Sequence, residues 1–299
     1  MILITGSTGY IGQHLVRRLA EQGERPRCLA RDPQKAARLF PNLSVEIVQG
    51  DTTQAETLVA AVQGVNTIVH AGFMTADRKQ SPGNQYEATN VQGTAQLIKA
   101  AEGAGVARMI EISGLGTRPD KPGSYMQGRY LAEKLLKESQ LDWTIIRPSV
   151  LFGKNAPFIK GLSELIQSSP VVPLIGGGNL MFQPIYIGDV VSIILKVLAE
   201  PEHCRHATFT VGGPDYYSFK QLVDMLMQSM HKKRLKLPAP RPLVGIGAAL
   251  MEAALPSPPL TKAAMALFSF DNTTDLNSVE LQFGFKPWSL ACFLEEQGI

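Results

Sequence analysis

A glycine-rich turn near the start of the chain constrains its fold more than any other feature. An apolar run from Met1 to Ile4 precedes it, and a helical pattern follows from Gln13 to Gln22. The turn reads Thr5-Gly6-Ser7-Thr8-Gly9-Tyr10-Ile11-Gly12. With this spacing Gly6 can make a tight turn, Gly9 admits a phosphate close to the backbone, and Gly12 lets the helix pack on the sheet. Such a turn presents N–H groups at a helix N-terminus, so we predict that residues 6–12 bind a dinucleotide pyrophosphate. The alternative is a glycine turn of the kind found in any α/β protein.

The end of the second predicted strand, Arg25 to Arg31, indicates which dinucleotide binds. An NAD site has Asp or Glu about twenty residues beyond the glycine turn, whereas this chain has Arg31 followed by Asp32. A guanidinium can hold a 2′-phosphate through two hydrogen bonds and stack on adenine. We therefore expect NADP(H), with NAD(H) left open by Asp32 and a solvated strand-end charge as the other interpretation of Arg31. Asp51 is either an adenine contact or the N-terminal cap of a helix before Thr53.

Composition excludes several classes of protein. The 299 residues are 44% hydrophobic and 18% charged, as in an ordinary globular protein. The net charge of +3 is spread out apart from the basic run 231–236, so we expect no nucleic acid partner. Three isolated cysteines have neither disulfide nor zinc spacing. Because no apolar stretch reaches about 18 residues and the first residues form a strand, we expect a cytoplasmic protein without a transmembrane segment.

Strand and helix patterns alternate through the first half of the chain. We predict strands at 1–5, 25–31, 45–49, 67–71, 108–112 and 143–147. Alternation of this kind is typical of an α/β protein with a Rossmann-type, doubly wound parallel sheet. We assign residues 1–150 to an NADP(H)-binding domain and residues 151–299 to a smaller α/β substrate lobe interleaved with it.

The second half has shorter elements. We predict strands at 171–175, 182–187 and 207–211, and helices at 158–168, 190–199 and 218–230. Ser218 and Gln221 have the spacing of a capping box. A small-molecule substrate is expected to contact the polar loop 72–85, the segment 151–159 and the region after Val171, none of which indicates a ligand class.

Several motifs resemble the extended and atypical short-chain dehydrogenase/reductase superfamily. Besides the glycine turn they are Val69-His70-Ala71, Asn90-Val91-Gln92-Gly93-Thr94, Ile112-Ser113, Arg147-Pro148-Ser149 and the run from Pro184 to Val191. The tail is similar to the branch that contains the NADPH-binding accessory subunit of respiratory complex I, on the segments Leu237-Pro238, Pro258-Pro259-Leu260, Asp271-Asn272 and Phe283-Gly284-Phe285. The resemblance adds His70, Ala71, Asn90 and Pro148 to Arg31 and Asp51 as cofactor-binding candidates. We expect His70 to face the ligand crevice, as a packed, hydrogen-bonded side chain or as a base. Asn90, as the resemblance implies, holds a water or a backbone kink, or it is a helix cap.

The same resemblance implies a Tyr that acts as acid and base, a Lys four residues later, and a Ser or Thr after the fifth strand. Ser113 fits the last position, or caps the strand end. Tyr125 with Arg129 fits the first two when counted from Ala132-Glu133-Lys134, although Arg replaces Lys. Tyr130 with Lys134 fits the spacing literally, but the two pairs lie about 140° apart on a helix.

We favour Tyr125 and Arg129, because Tyr130 begins a run whose Leu131, Leu135 and Leu136 mark a core face. An Arg at this position can hold a ribose hydroxyl but does not readily release a proton. Alternatively, Arg129 forms an i,i+4 pair with Glu133.

Two functions from different classes follow. The first is an NADP(H)-dependent oxidoreductase acting on a carbonyl or alcohol, with a sugar-nucleotide epimerase or dehydratase as a variant. The second is a protein that holds NADPH as a structural or sensing ligand and docks on a partner or membrane complex. The apolar segment Leu243 to Leu255, after the basic run, favours a peripheral membrane or protein contact. Its alternative is a helix packed on the chain's own substrate lobe.

Overall fold

A computed structural model describes residues 1–81, 85–254 and 261–298. The strands are β1 Ile2–Thr5, β2 Arg27–Ala30, β3 Glu46–Gln49, β4 Thr67–His70, β5 Arg108–Ile112, β6 Asp142–Pro148, β7 Leu151–Phe152, β8 Val171–Ile175, β9 Met181–Phe182, β10 Ile185–Tyr186, β11 Ala207–Val211, β12 Tyr217–Ser218 and β13 Leu235–Ala239. The α-helices are α1 Tyr10–Glu21, α2 Pro33–Leu39, α3 Ala55–Val62, α4 Gly93–Gly103, α5 Tyr125–Lys137, α6 Pro157–Ser168, α7 Ile187–Ala199, α8 Phe219–Ser229, α9 Arg241–Ala254, α10 Ser278–Phe283 and α11 Leu290–Gln297. A π-helix, Glu87–Gln92, runs directly into α4.

The described residues form two compact units, each assembled from three chain segments. The first unit contains Met1–Met74, Gln80–Arg147 and Val190–Phe209. The second contains Thr75–Lys79, Pro148–Asp189 and the chain from Thr210 onwards.

The first unit is built on a sheet of seven strands in the order β11-β6-β5-β4-β1-β2-β3. The pairs from β6 to β3 are parallel. From β1 the chain builds outward to β3 and then returns to the other side of β1 at β4, which makes the sheet doubly wound. Strand residues such as Ile4, Ile68 and Ile110 are fully buried, because helices cover both faces. The predicted fold class is confirmed.

All six predicted strands of the first half are present, with ends within two residues of prediction. The first helix begins earlier than predicted, at Tyr10 rather than Gln13, because Gly9 already has the extended backbone of an N-cap residue. The first unit therefore follows its sequence pattern closely.

In the second half of the chain, the strands predicted at 171–175 and 207–211 are present with the predicted ends. The continuous strand predicted at 182–187 is wrong, since β9 and β10 are separated by Gln183 and Pro184. Gln183 is fully buried and binds neighbouring loops, donating to the carbonyl of Gly213 and accepting from the amide of Thr274. Proline has no N–H to continue a ladder.

The capping box at the start of α8 is confirmed. The Gln221 amide donates to Ser218 Oγ over 3.2 Å, and the Ser218 amide donates to Gln221 Oε1 over 2.7 Å. An aromatic core packs beneath this helix, with Phe182, Phe219 and Phe268 in mutual ring contact.

Parts of three expectations fall on residues outside the described ranges. These are residues 82–84 of the loop 72–85, Leu255 of the apolar segment, and Pro258-Pro259-Leu260 of the tail. Among the residues that the structure describes, no helix has the length and apolar character needed to cross a membrane.

Candidate cofactor and catalytic site

The glycine turn of the first unit is shaped by steric contacts that only glycine tolerates. Gly6 has a φ of +67°, and a Cβ there would lie 2.4 Å from the carbonyl oxygen of Ala71. A Cβ on Gly12 would lie 2.2 Å from the Gly6 oxygen. Gly9 donates its N–H to that same oxygen over 2.8 Å, and no side chain caps α1. The turn is therefore a cradle that leaves amides at the start of α1 for an anion, which fits a dinucleotide pyrophosphate.

The other residues of the turn either hold it in place or are partly exposed to solvent. Ser7 is fully buried and donates Oγ to the Leu29 carbonyl over 3.0 Å, so it fixes the turn to β2. The Thr8 carbonyl accepts from Gln13 Nε2 over 2.9 Å. Thr8, Tyr10 and Ile11 keep partial exposure, so they remain candidates for direct cofactor contact.

Arg31 follows β2 with its side chain exposed, and its Nε lies 4.0 Å from Asp51 Oδ2. Both residues line a cavity of about 480 Å³ together with Gln54 and Thr57. Asp32 Oδ1 accepts the Lys35 amide over 3.0 Å and caps α2. Asp32, the residue that suggested NAD(H) as an alternative, therefore has its carboxylate hydrogen-bonded to the helix that it caps.

The interpretation of Asp51 as a helix cap is wrong. Its Oδ1 accepts both the amide and the hydroxyl of Thr53, each over 2.9 Å, and this closes a local turn. Helix α3 starts only at Ala55, with Gln54 in the N-cap position. The adenine contact therefore remains the prediction for Asp51.

His70 is completely enclosed, which confirms the packed, hydrogen-bonded side chain; the expectation that it faces the ligand crevice is wrong. Its Nδ1 lies 2.6 Å from Thr5 Oγ1 and its Nε2 lies 3.0 Å from Thr94 Oγ1. Because Thr94 donates its own proton to the Asn90 carbonyl, Nε2 is the protonated nitrogen of the ring. Burial, assisted by the charge of Arg129, lowers the pKa of His70 to about 3. The neutral ring ties β1 to α4, and the backbone of neighbouring Ala71 is the part that borders Gly6.

Asn90 lies in the middle of the π-helix and is fully buried. Its Oδ1 accepts the Met74 amide over 2.7 Å, and its Nδ2 donates to the Met74 carbonyl over 3.1 Å. Its side chain therefore fixes the backbone at Met74, after β4, and the interpretation of Asn90 as a helix cap is wrong. π-Turns of this kind are frequent at functional sites.

Tyr125 and Arg129 face the interior of the first unit, with 9% and 5% of their surfaces exposed. Arg129 donates from Nε to Tyr125 Oη over 2.6 Å and from Nη1 to the Ile112 carbonyl over 3.3 Å. Its guanidinium also lies 5.0 Å from the Phe73 ring centre. The structure thus brings together the phenol, the cation and the end of β5.

The other helix register points elsewhere. Lys134 is 54% exposed and pairs with Glu138 over 3.8 Å on the outer face of α5. The reason given for rejecting this register was partly wrong, because Leu131 and Leu135 are only half-buried and Leu136 alone of the three is fully buried.

Ser113 donates its hydroxyl to Glu133 Oε1 over 2.6 Å. Glu133 is 1% exposed and also accepts two hydrogen bonds from Arg147, of 2.8 Å and 2.5 Å, while Lys137 Nζ lies 3.8 Å away. The predicted pair between Arg129 and Glu133 is therefore wrong. Glu133 turns to Arg147 because β6 presents a guanidinium fork that matches both carboxylate oxygens.

Sequence reasoning missed Glu133 and Arg147, and it also missed Glu111. Glu111 is a completely buried carboxyl in β5, without a hydrogen-bond partner among the described residues. Burial, followed by the nearby charge of Glu133, raises the pKa of Glu111 to about 8. The sequence carried a signal for two of these residues, because Glu111 and Arg147 are charged residues inside the mainly apolar strands β5 and β6.

The arrangement limits the chemistry that these side chains can perform. Tyr125 accepts a hydrogen bond from Arg129, so its own O–H remains to donate. Ser113 directs its proton to Glu133, so its oxygen is left to accept. Arg129 supplies a fixed positive charge but no mobile proton. Pro148, the remaining candidate, ends β6 within the second unit, and its contact with cofactor remains a prediction.

Residues 6–168 of the chain match the family described as NAD(P)H-binding. The NAD(P)H azoreductase of Xenophilus azovorans is 30% identical over 220 residues, which are 73% of this chain and 70% of that protein.

Subunit 9 of the alpha subcomplex of mitochondrial NADH dehydrogenase (ubiquinone) from Arabidopsis thaliana is 25% identical over 244 residues, 79% of this chain. The match spans only 60% of that relative's length. A solved structure of the NADPH-dependent quinone oxidoreductase QOR2 from Escherichia coli, complexed with NADPH, has the same fold, with a TM-score of 0.75, 19% identity and 99% of both chains covered. With more than half of its residues matched, the chain belongs to the NAD(P)H-binding family.

Proposed function

We propose that this protein is an NADP(H)-dependent oxidoreductase that acts on a carbonyl or alcohol. The observation that carries the proposal is the buried pair of Tyr125 and Arg129 beside Ser113. Membership of the NAD(P)H-binding family supports it, as does the similarity to the NAD(P)H azoreductase of Xenophilus azovorans. When bound, the cofactor supplies or accepts hydride.

The side chains would then manage the proton. Tyr125 donates its hydroxyl proton to the substrate oxygen, and the adjacent guanidinium of Arg129 stabilises the phenolate that results. Because the Ser113 proton is held by Glu133, Ser113 accepts a hydrogen bond from the hydroxyl of the alcohol form and orients that form. Because Arg129 passes on no proton, Tyr125 is reprotonated from solvent.

We expect Tyr125→Phe to reduce NADPH-dependent turnover by about a hundredfold or more, the usual effect of losing a general acid. The measurement is NADPH oxidation with a panel of aldehydes, ketones, quinones and azo dyes, together with NADPH affinity by fluorescence titration. NADPH affinity should stay unchanged, because the phenol is assigned to the substrate.

The matched control is Tyr130→Phe, which makes the same change five residues along the same helix, where Tyr130 is only half-buried. It should retain full turnover. Normal turnover in Tyr125→Phe, or loss of turnover in Tyr130→Phe alone, would overturn the role of Tyr125.

We further propose that NADP(H) is preferred over NAD(H). Arg31 is exposed near Asp51, and Asp32 is engaged as the cap of α2. Arg31→Ala should weaken NADPH binding about tenfold to a hundredfold, the value of one charge-assisted pair, and leave NADH binding unchanged. Arg18→Ala is the control, since Arg18 is an exposed arginine of α1 whose partner is Glu21. Equal losses for both dinucleotides would contradict the assignment.

The second candidate is a protein that holds NADPH without turnover and docks on a partner. Two observations favour it: Ser113 donates its hydrogen bond to Glu133, and Arg129 stands where the family resemblance implies a lysine. NADPH dissociation rates separate the two functions. NADPH that copurifies and exchanges slowly, with no turnover on the panel, would favour this candidate over the oxidoreductase.

A further inference from the structure

Helix α9 of the second unit presents its large apolar side chains to solvent. Leu243, Ile246 and Leu250 are 65%, 59% and 66% exposed. Spacings of three and four residues place them on one side of the helix. Ala248, on the other side, is the buried residue among the described positions of α9. The expected alternative, a helix whose apolar face packs on its own lobe, is therefore wrong for these three residues.

The preceding strand β13 also exposes apolar side chains. Leu235 and Leu237 are 60% and 46% exposed. Between them, Lys236 forms an ion pair with Asp224 of α8, so the alternate apolar positions point away from that helix. We call residues 232–250 the docking segment.

Positive charge lies at the start of the docking segment. Lys232 and Lys233 are exposed, whereas Arg234 donates to the carbonyls of Ile166 and Gln167. Two solvated ammonium groups therefore directly precede five exposed aliphatic side chains.

We propose that the docking segment binds an anionic lipid surface, with α9 lying in the plane of the interface. An exposed aliphatic stripe next to cationic residues is the pattern of interfacial helices, which insert their apolar face and attract anionic head groups. At about 21 Å, α9 is shorter than a membrane-crossing helix. The stripe contains only Leu and Ile, whereas protein interfaces concentrate aromatic residues and Arg, and this favours lipid over a protein partner.

The test is partition of the purified full chain onto vesicles of phosphatidylcholine alone or with phosphatidylglycerol. We expect partition at least about tenfold stronger when phosphatidylglycerol is present, decreasing as NaCl screens the charges. Replacing Leu243, Ile246 and Leu250 with Gln should weaken partition at least about tenfold. Replacing Lys232 and Lys233 with Gln should remove most of the dependence on phosphatidylglycerol.

Matched controls separate the segment from general surface effects. Leu281→Gln removes another exposed aliphatic, 80% exposed on α10, and replacing Lys160 and Lys220 with Gln removes two exposed lysines elsewhere. Both should partition like the parent, and every variant should retain its circular dichroism and NADPH affinity. Absence of partition, equal partition on both vesicles, or equal loss in the controls would overturn the proposal. It would also be overturned if the apolar face proved to join two copies, with the triple variant turning a dimer into a monomer and no vesicle binding in either.

Discussion

Replacing Gly12 with Ala should weaken NADPH binding about tenfold to a hundredfold. The new methyl group would lie 2.2 Å from the Gly6 oxygen and 2.8 Å from the Ser7 Cα, both backbone atoms that cannot move without displacing the turn. Overpacking of this kind costs about 1 to 3 kcal/mol, which corresponds to that range of affinity. Isothermal titration with NADPH measures the effect, and thermal unfolding without ligand measures the accompanying loss of stability.

Gly161→Ala is the matched control for this prediction. Gly161 is also a helical glycine, in α6, but a Cβ there would meet nothing within 4 Å. Since alanine favours helix, this variant should be as stable as the parent or slightly more so, and should bind NADPH normally. Parent-like NADPH affinity in Gly12→Ala would show that the cradle does not hold the dinucleotide.

Glu133→Gln should lower the free energy of unfolding by about 3 to 5 kcal/mol. Glu133 is buried and binds Arg147 through both carboxylate oxygens, so a neutral amide leaves the guanidinium without a counter-charge. Chemical denaturation with urea, followed by fluorescence, measures the change.

Glu138→Gln provides the comparison on the same helix. Glu138 is 62% exposed and pairs with Lys134 over 3.8 Å, so its loss should change stability by less than about 1 kcal/mol. Combining Glu133→Gln with Arg147→Met should recover part of the loss, because the guanidinium that had lost its counter-charge is then removed as well. Equal stability of Glu133→Gln and Glu138→Gln would contradict the importance given to the buried pair.

The parallel sheet could be predicted because its information is local. Each strand is a short apolar run between turn residues. Such a run is recognisable as a strand buried on both faces without reference to the rest of the chain. The strand predicted at 182–187 failed for a long-range reason. Gln183 binds Gly213 and Thr274, which lie far along the chain, and this contact interrupts a run that otherwise has strand character.

The candidate site shows the same division. The glycine turn follows from spacing within one turn, whereas spacing allowed both Tyr125 with Arg129 and Tyr130 with Lys134 and established only that the two pairs lie on different sides of one helix. The partner of Glu133 does not follow from spacing, because Arg147 reaches it from a different strand after the chain has folded. A helix i,i+4 rule considers only partners on the same helix, and so it offered Arg129.

Because Glu111 is buried, the folded and the unfolded chain bind different numbers of protons. An exposed glutamate ionises near pH 4.5, whereas this one does so at about 8, so folding takes up a proton between those values. Its contribution to stability is therefore fully present below pH 4.5 and is lost as the pH rises through 8. At neutral pH the raised pKa of Glu111 favours its uncharged form, so the native molecule has one negative charge fewer than the formal net charge of +3 assumes. Unfolding returns that proton to the buffer, so the heat of unfolding in a calorimeter includes the protonation heat of whichever buffer receives it.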